Sequence, residues 1–137
     1  MLDVTKKLVE LLDLAPLGDD HFQGESEDLG FPNLFGGHVL GQALMAATRT
    51  IEGRMPHSMH AYFLRPGNAR APIDYEVQRV RDGGTFSVRR VIVRQEGKEI
   101  LTGSVSFQVE EEGFDHQFEM PSAPSADSLP SETELNQ

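Results

Sequence analysis

The stretch HSMHAYFLRPG, residues 57–67, brings together His57, Ser58, His60, Tyr62 and Arg65. Such side chains can ligate a metal, move protons, or form the polar side of a sheet. Met59, Ala61 and Phe63 alternate with Ser58, His60 and Tyr62, which is the period of a strand. Successive strand side chains point to opposite faces, so His57 and His60, three apart, are expected to diverge and not to share a metal ion. No metal site is therefore expected. A hydrogen-bonded strand residue is the commoner fate of such a histidine, and a place lining a ligand groove is the alternative. Arg65-Pro66-Gly67 ends the run, because proline has no ladder donor.

A second stretch with chemical content is FGGHVLG, Phe35 to Gly41. No lysine follows it as in a phosphate-binding loop. Gly36 and Gly37 either serve close packing or leave a helix start open to a carbonyl or phosphate oxygen, with Gly37 and His38 beside it. The nucleophile elbow Gly-x-Ser-x-Gly and the zinc motif His-Glu-x-x-His are absent, and there is no cysteine. Between Arg49 and Lys98 there are 10 basic and 5 acidic residues. Arg81, Thr85, Ser87 and Arg89 lie on or beside one strand face, with Arg65 at a neighbouring strand's end. They suit a polyanion smaller than duplex nucleic acid, or cross-strand pairing with Asp74, Glu76 and Glu99.

These residues need elements to position them. Val4, Leu8, Leu11, Leu12 and Ala15 predict an amphipathic helix over 3–15, capped by Asp3 or Thr5 and ended by Pro16 and Gly18. Residues 19–34 read as loop with a short strand at His21–Gly24. Gly37 to Thr50 is apolar or small on nearly every side, the pattern of a helix buried on several sides. Four strands follow, over 56–64, 73–80, 85–95 and 99–109. Asp82-Gly83-Gly84 and Glu96-Gly97-Lys98 supply the turns. The class is α+β: one long helix and an antiparallel meander.

The chain has 137 residues, enough for one domain with a core of its own. Its net charge of −10 is concentrated in the tail, where residues 110–137 hold 8 acids and no base. That tail, rich in Pro, Ser and acid, reads as a linker. A nucleic-acid partner, a membrane span and a secretory signal are not expected. A cytoplasmic setting is expected, or a peroxisomal one in a eukaryote, although no C-terminal targeting signal is present.

The motifs FGGHVLGQAL, HSMHAYFLRPG, RDGGTFSVRRV and SFQ followed by an acidic stretch and FDHQFEMP occur in that order. Together with SEDLG at 26–30 they closely resemble the N-terminal half of acyl-CoA thioesterase II, the TesB-type family. The resemblance implies a hotdog fold, an antiparallel sheet wrapped around a central helix, over residues 1–112, with 113–137 as the linker to a second hotdog repeat. It implies hydrolysis of fatty acyl-CoA without metal or cofactor. The family's Asp, Thr or Ser, and Gln belong to the second repeat. Here their counterparts fall near residues 36–50, which hold no acid, at Pro56 and at Ser106. No catalytic residue is therefore expected in this half; His57, Ser58 and His38 are the remaining candidates. Gly37, His38, Arg65, Arg81, Thr85, Ser87 and Arg89 are the expected acyl-CoA contacts. The expected partner is a second repeat or a second copy. The competing function is a non-catalytic module that needs a second repeat. An enoyl-thioester hydratase is disfavoured, because no Asp is followed five positions later by His.

Overall fold

The computed structural model describes residues 2–136. In chain order the elements are α1 (Leu2–Leu11), β1 (Ala15–Gly18), β2 (His21–Gly24), α2 (Gly36–Thr48), β3 (Met55–Phe63), β4 (Ile73–Asp82), β5 (Phe86–Gln95), β6 (Lys98–Gln108) and α3 (Glu132–Leu135). The six strands make one antiparallel sheet in the order β1-β2-β4-β5-β6-β3.

One row of the register explains how the sheet holds a helix. Phe22, Tyr75, Val93, Leu101 and Phe63 are successive partners across five strands, all on the concave side. The next row on that side is Val77, Val91, Gly103 and Ala61. Small residues there let α2 lie close, and α2 answers with buried Ala43, Ala46 and Ala47. A Cβ on Gly103 would meet the His60 carbonyl oxygen at 3.0 Å, so glycine is what the strand spacing admits. Fully burying a residue such as Leu101 or Val105 contributes about 2 kcal/mol, and the core is built from many such residues. Leu40, Leu44 and Met45 pack on it half-buried, as the all-round apolar pattern of α2 predicts.

Two local expectations need correction. The first helix stops at Leu11, not Ala15, and starts ahead of Asp3 and Thr5, so neither is its cap. Ala15–Gly18 instead forms an edge strand, where Pro16 costs no ladder bond. Asp19 and Asp20, at φ 44° and 60°, make the turn into β2. Residues 110–136 are exposed throughout, and they contain a 3-10 turn at Ala126–Ser128 and one α-helical turn closed by a Ser131–Glu134 capping box.

Candidate functional site

The first turn of α2 is an open polar feature next to the core. Phe35 precedes it in an extended conformation and gives no side-chain cap. His38 N and Val39 N both return to the Phe35 carbonyl, at 3.1 and 3.4 Å. The N–H groups of Gly36 and Gly37 have no acceptor among the described residues. A Cβ on Gly36 would stand 2.9 Å from the Phe63 ring, and one on Gly37 2.7 Å from the Phe35 ring. The helix head is thus bare backbone between two aromatic rings.

Cavities open on both sides of it. One, of about 470 Å³, lies against Gly36, Val39, Phe63, Leu64, Arg65 and Leu101. The other, of about 640 Å³, runs between α1 and the Gly37–Gly41 face of α2. Such volumes are in the range that holds small ligands. Donors aimed from a helix start suit an anion or a developing oxyanion.

His38 is half-buried, and its Nε2 lies 2.9 Å from the Glu25 carbonyl. One turn on, Gln42 is completely buried. Its Nε2 donates to the carbonyls of Leu11 at 2.6 Å and Glu25 at 3.0 Å, and its Oε1 accepts from the Tyr75 hydroxyl at 2.6 Å. Burial raises the Tyr75 pKa well above its ordinary value, which keeps the hydroxyl a donor. This network ties α1 and the 25–35 segment to the helix head. Sequence reasoning missed it; the available signal was one polar residue within the buried stripe Val39, Ala43, Ala46.

The histidine strand departs from its expected geometry. The β3–β6 register shifts between Pro56 and Ser58, so His57 is an inserted residue. The bulge turns His57 onto the outer, convex face that His60 also occupies. His57 Nε2 lies 2.8 Å from Ser106 Oγ, with the Phe86 ring 5.6 Å away, while His60 stacks edge-on against Tyr62. The two histidines therefore share a face. Ser58 is exposed opposite Ser106. Among the described residues no three His, Asp or Glu side chains form a metal-holding group.

The arginines are divided by the structure. Ser87 and Arg89 point inward and are buried, each about 1% exposed. Arg89 spends its guanidinium on Thr50 Oγ1 and O, the carbonyls of Arg81 and Val88, and the Asp82 carboxylate. It clamps the C-terminal end of α2, where a cation is favourable, and has no donor left for a phosphate. Ser87 accepts from Arg54 at 2.7 Å. Arg81 is exposed, its guanidinium without a polar partner among the described residues, and Thr85 is half-buried. Arg65 donates to the Glu99 carbonyl at 2.7 Å and lines the first cavity, beside Gly36. Its neighbour Ile100 and the Arg89 partner Val105 are five strand positions apart, roughly 17 Å, so Arg65 and Arg89 do not form one site. The cross-strand pairs with Glu76 and Glu99 are made by Arg94, at 2.6 and 3.2 Å.

Residues 26–108, carrying α2 and the last four strands, match the family model described as acyl-CoA thioesterase N-terminal domain. The chain belongs to that family. It is 43% identical over its whole length to acyl-CoA thioesterase 2 of Haemophilus influenzae, of which it covers 48%. The solved tesB protein of Mycobacterium avium subsp. paratuberculosis superposes with TM-score 0.82 at 42% identity, over 90% of this chain and 49% of that one. A hot dog fold protein from Alicyclobacillus acidocaldarius superposes with TM-score 0.75 at 23% identity, over 90% of this chain and 48% of that one. The fold is the hotdog fold, as the resemblance implied. The chain spans about half the length of these relatives. No helix among the described residues is long and apolar enough to cross a membrane.

Proposed function

We propose that this chain is the N-terminal hotdog half of an acyl-CoA thioesterase, which hydrolyses fatty acyl-CoA to free fatty acid and CoA. The observation that carries the reading is the pair of acceptor-free N–H groups at Gly36 and Gly37, set between two cavities at the head of a wrapped helix. A thioester carbonyl placed there meets two donors and the positive end of a helix dipole, both stronger partners for the oxyanion than for the ground state. Water adds to the carbonyl carbon, the C–S bond breaks, and the CoA thiolate leaves and takes a proton.

No acid stands on α2, and Pro56 and Ser106 occupy the other expected catalytic positions. The group that activates water is therefore assigned to a second repeat, joined through the exposed segment 113–137. Gly37, His38 and Arg65 are retained as contacts of the acyl-CoA head, and Arg81 and Thr85 as outer contacts of its phosphates. Ser87 and Arg89 are withdrawn because their donors and faces are committed to the interior. A cytoplasmic location is part of the same reading.

The nine-residue edge of β3 is unpaired among the described residues, and exposed Met55 and Tyr62 flank it. Long open edges recruit another strand. A second repeat, or a second copy of this chain, is the proposed partner on that edge. One assay tests the thioesterase reading. Free CoA thiol is measured from a long-chain acyl-CoA with this chain alone, then with the uncovered half of its Haemophilus relative supplied as the second repeat. Activity only in the second case supports the proposal; none in either case sinks it.

A further inference from the structure

We infer that the groove between α1 and α2 receives the apolar tail of the acyl chain, an inference that rests on the reading above. The groove has three walls. Val4, Leu8 and Leu11 of α1 form one, at the i, i+4, i+7 spacing of a single helix face. Gly37 and Gly41 of α2 form the floor, and Leu29 and Phe35 of the connecting segment form the third side. The α1 stripe is seated only at its C-terminal end: Val4 and Leu8 are 74% and 56% exposed, while Leu11 and Leu12 are half-buried. This apolar helix face borders a cavity of about 640 Å³, a volume in the range that holds small ligands.

Three features select a thread of methylenes over a polypeptide. The Lys7 ammonium pairs with the Glu27 carboxylate, a strap from α1 to the far wall. A polymethylene thread is thinner than a second helix, which needs about 8–10 Å between axes. The slot is narrowed by side chains seated on the glycines of α2, where a Cβ on Gly41 would stand 3.2 Å from Leu12 Cδ2 and one on Gly37 2.7 Å from the Phe35 ring. Finally, the slot is continuous with the helix head: Gly37 and His38 line it, so a carbonyl held at the first turn directs its chain along α1. All these residues belong to this chain, so binding of the tail does not require a second repeat.

The test uses the 137-residue chain and S-alkyl-CoA thioethers from ethyl to hexadecyl, which have no carbonyl to hydrolyse. Calorimetry is expected to give a Kd that falls about fourfold per added methylene until the slot is full, then levels. The S-dodecyl compound is expected to shift the amide resonances of Leu8, Leu12 and Gly41. Leu8→Asp, at an exposed position that the fold tolerates, is expected to flatten the length dependence and leave S-ethyl-CoA binding unchanged. Leu8→Trp, which fills the slot, is expected to level it at a shorter chain. A length dependence identical in wild type and both variants puts the tail elsewhere and overturns the inference while leaving the thioesterase reading intact. Shifts at these amides that follow protein concentration, and not ligand, assign the groove to a second copy and also overturn it. No binding at any chain length overturns the inference, while the thioesterase reading is decided by the CoA-release assay with the second repeat supplied.

Discussion

Arg89, 1% exposed, donates from Nη2 to the half-exposed Asp82 carboxylate at 2.7 Å while its Nε donates to Thr50 at the end of α2. A guanidinium inside a small domain persists only when its donors are all paired, and here five acceptors surround it. Arg89→Ala leaves those acceptors dry and is expected to cost about 3 kcal/mol in urea unfolding. Unchanged stability would show that Arg89 is not a structural clamp.

Gln42 is the second polar group that holds the site together. Gln42→Ala strands the Tyr75 hydroxyl and the carbonyls of Leu11 and Glu25, and is expected to destabilise the chain by about 3 kcal/mol. Gly24→Ala acts on the same network from outside, because its Cβ would lie 2.4 Å from Gln42 Oε1. Both variants are expected to speed amide exchange in α1, whose end Gln42 tethers. Thermal melts and hydrogen exchange check this.

Acid should weaken the fold. Hydrogen bonds from Arg79, Arg94 and Arg89 hold the Asp20, Glu76 and Asp82 carboxyls below their ordinary pKa values of 3.8, 4.5 and 3.8. The unfolded chain then binds protons more readily than the folded one, so the stabilisation is complete above the unfolded values and lost as pH falls through the lower folded ones. The melting temperature is expected to be flat near neutrality and to drop below about pH 4. Asp20→Asn should make that drop shallower. A flat profile down to strong acid would remove these pairs from the stability argument.

Arg65 and His57 separate the two ends of the histidine strand. In the chain assembled with a second repeat, Arg65→Ala is expected to raise KM for acyl-CoA about tenfold, the loss of one charged contact, with kcat held. His57→Ala, which removes an outer-face bond to Ser106, is expected to change kcat/KM by no more than about twofold. A collapse of kcat in His57→Ala would make the bulged histidine a participant in the chemistry.

By itself the sequence determined the order and type of the main elements and the concave face of β4 and β6. Those depend on local period: Ile73, Tyr75 and Val77 alternate in any strand, and glycines at 36 and 37 mark an uncapped helix start wherever the helix packs. Tertiary structure alone decided what sits on β5 and β3. On β5 the set of exposed Phe86 and half-buried Val88 and Ile92 looks like a core stripe, yet the helix lies on the Ser87, Arg89, Val91 side. On β3 one inserted residue brought two histidines to one face. Register, a bulge, and the acceptors that a buried arginine or glutamine finds are all set by residues distant in the chain, here 39 positions for Arg89 and Thr50 and 49 for His57 and Ser106. Local spacing carries no record of them, because pairing across the sheet is chosen by the fit of the whole wrapped core.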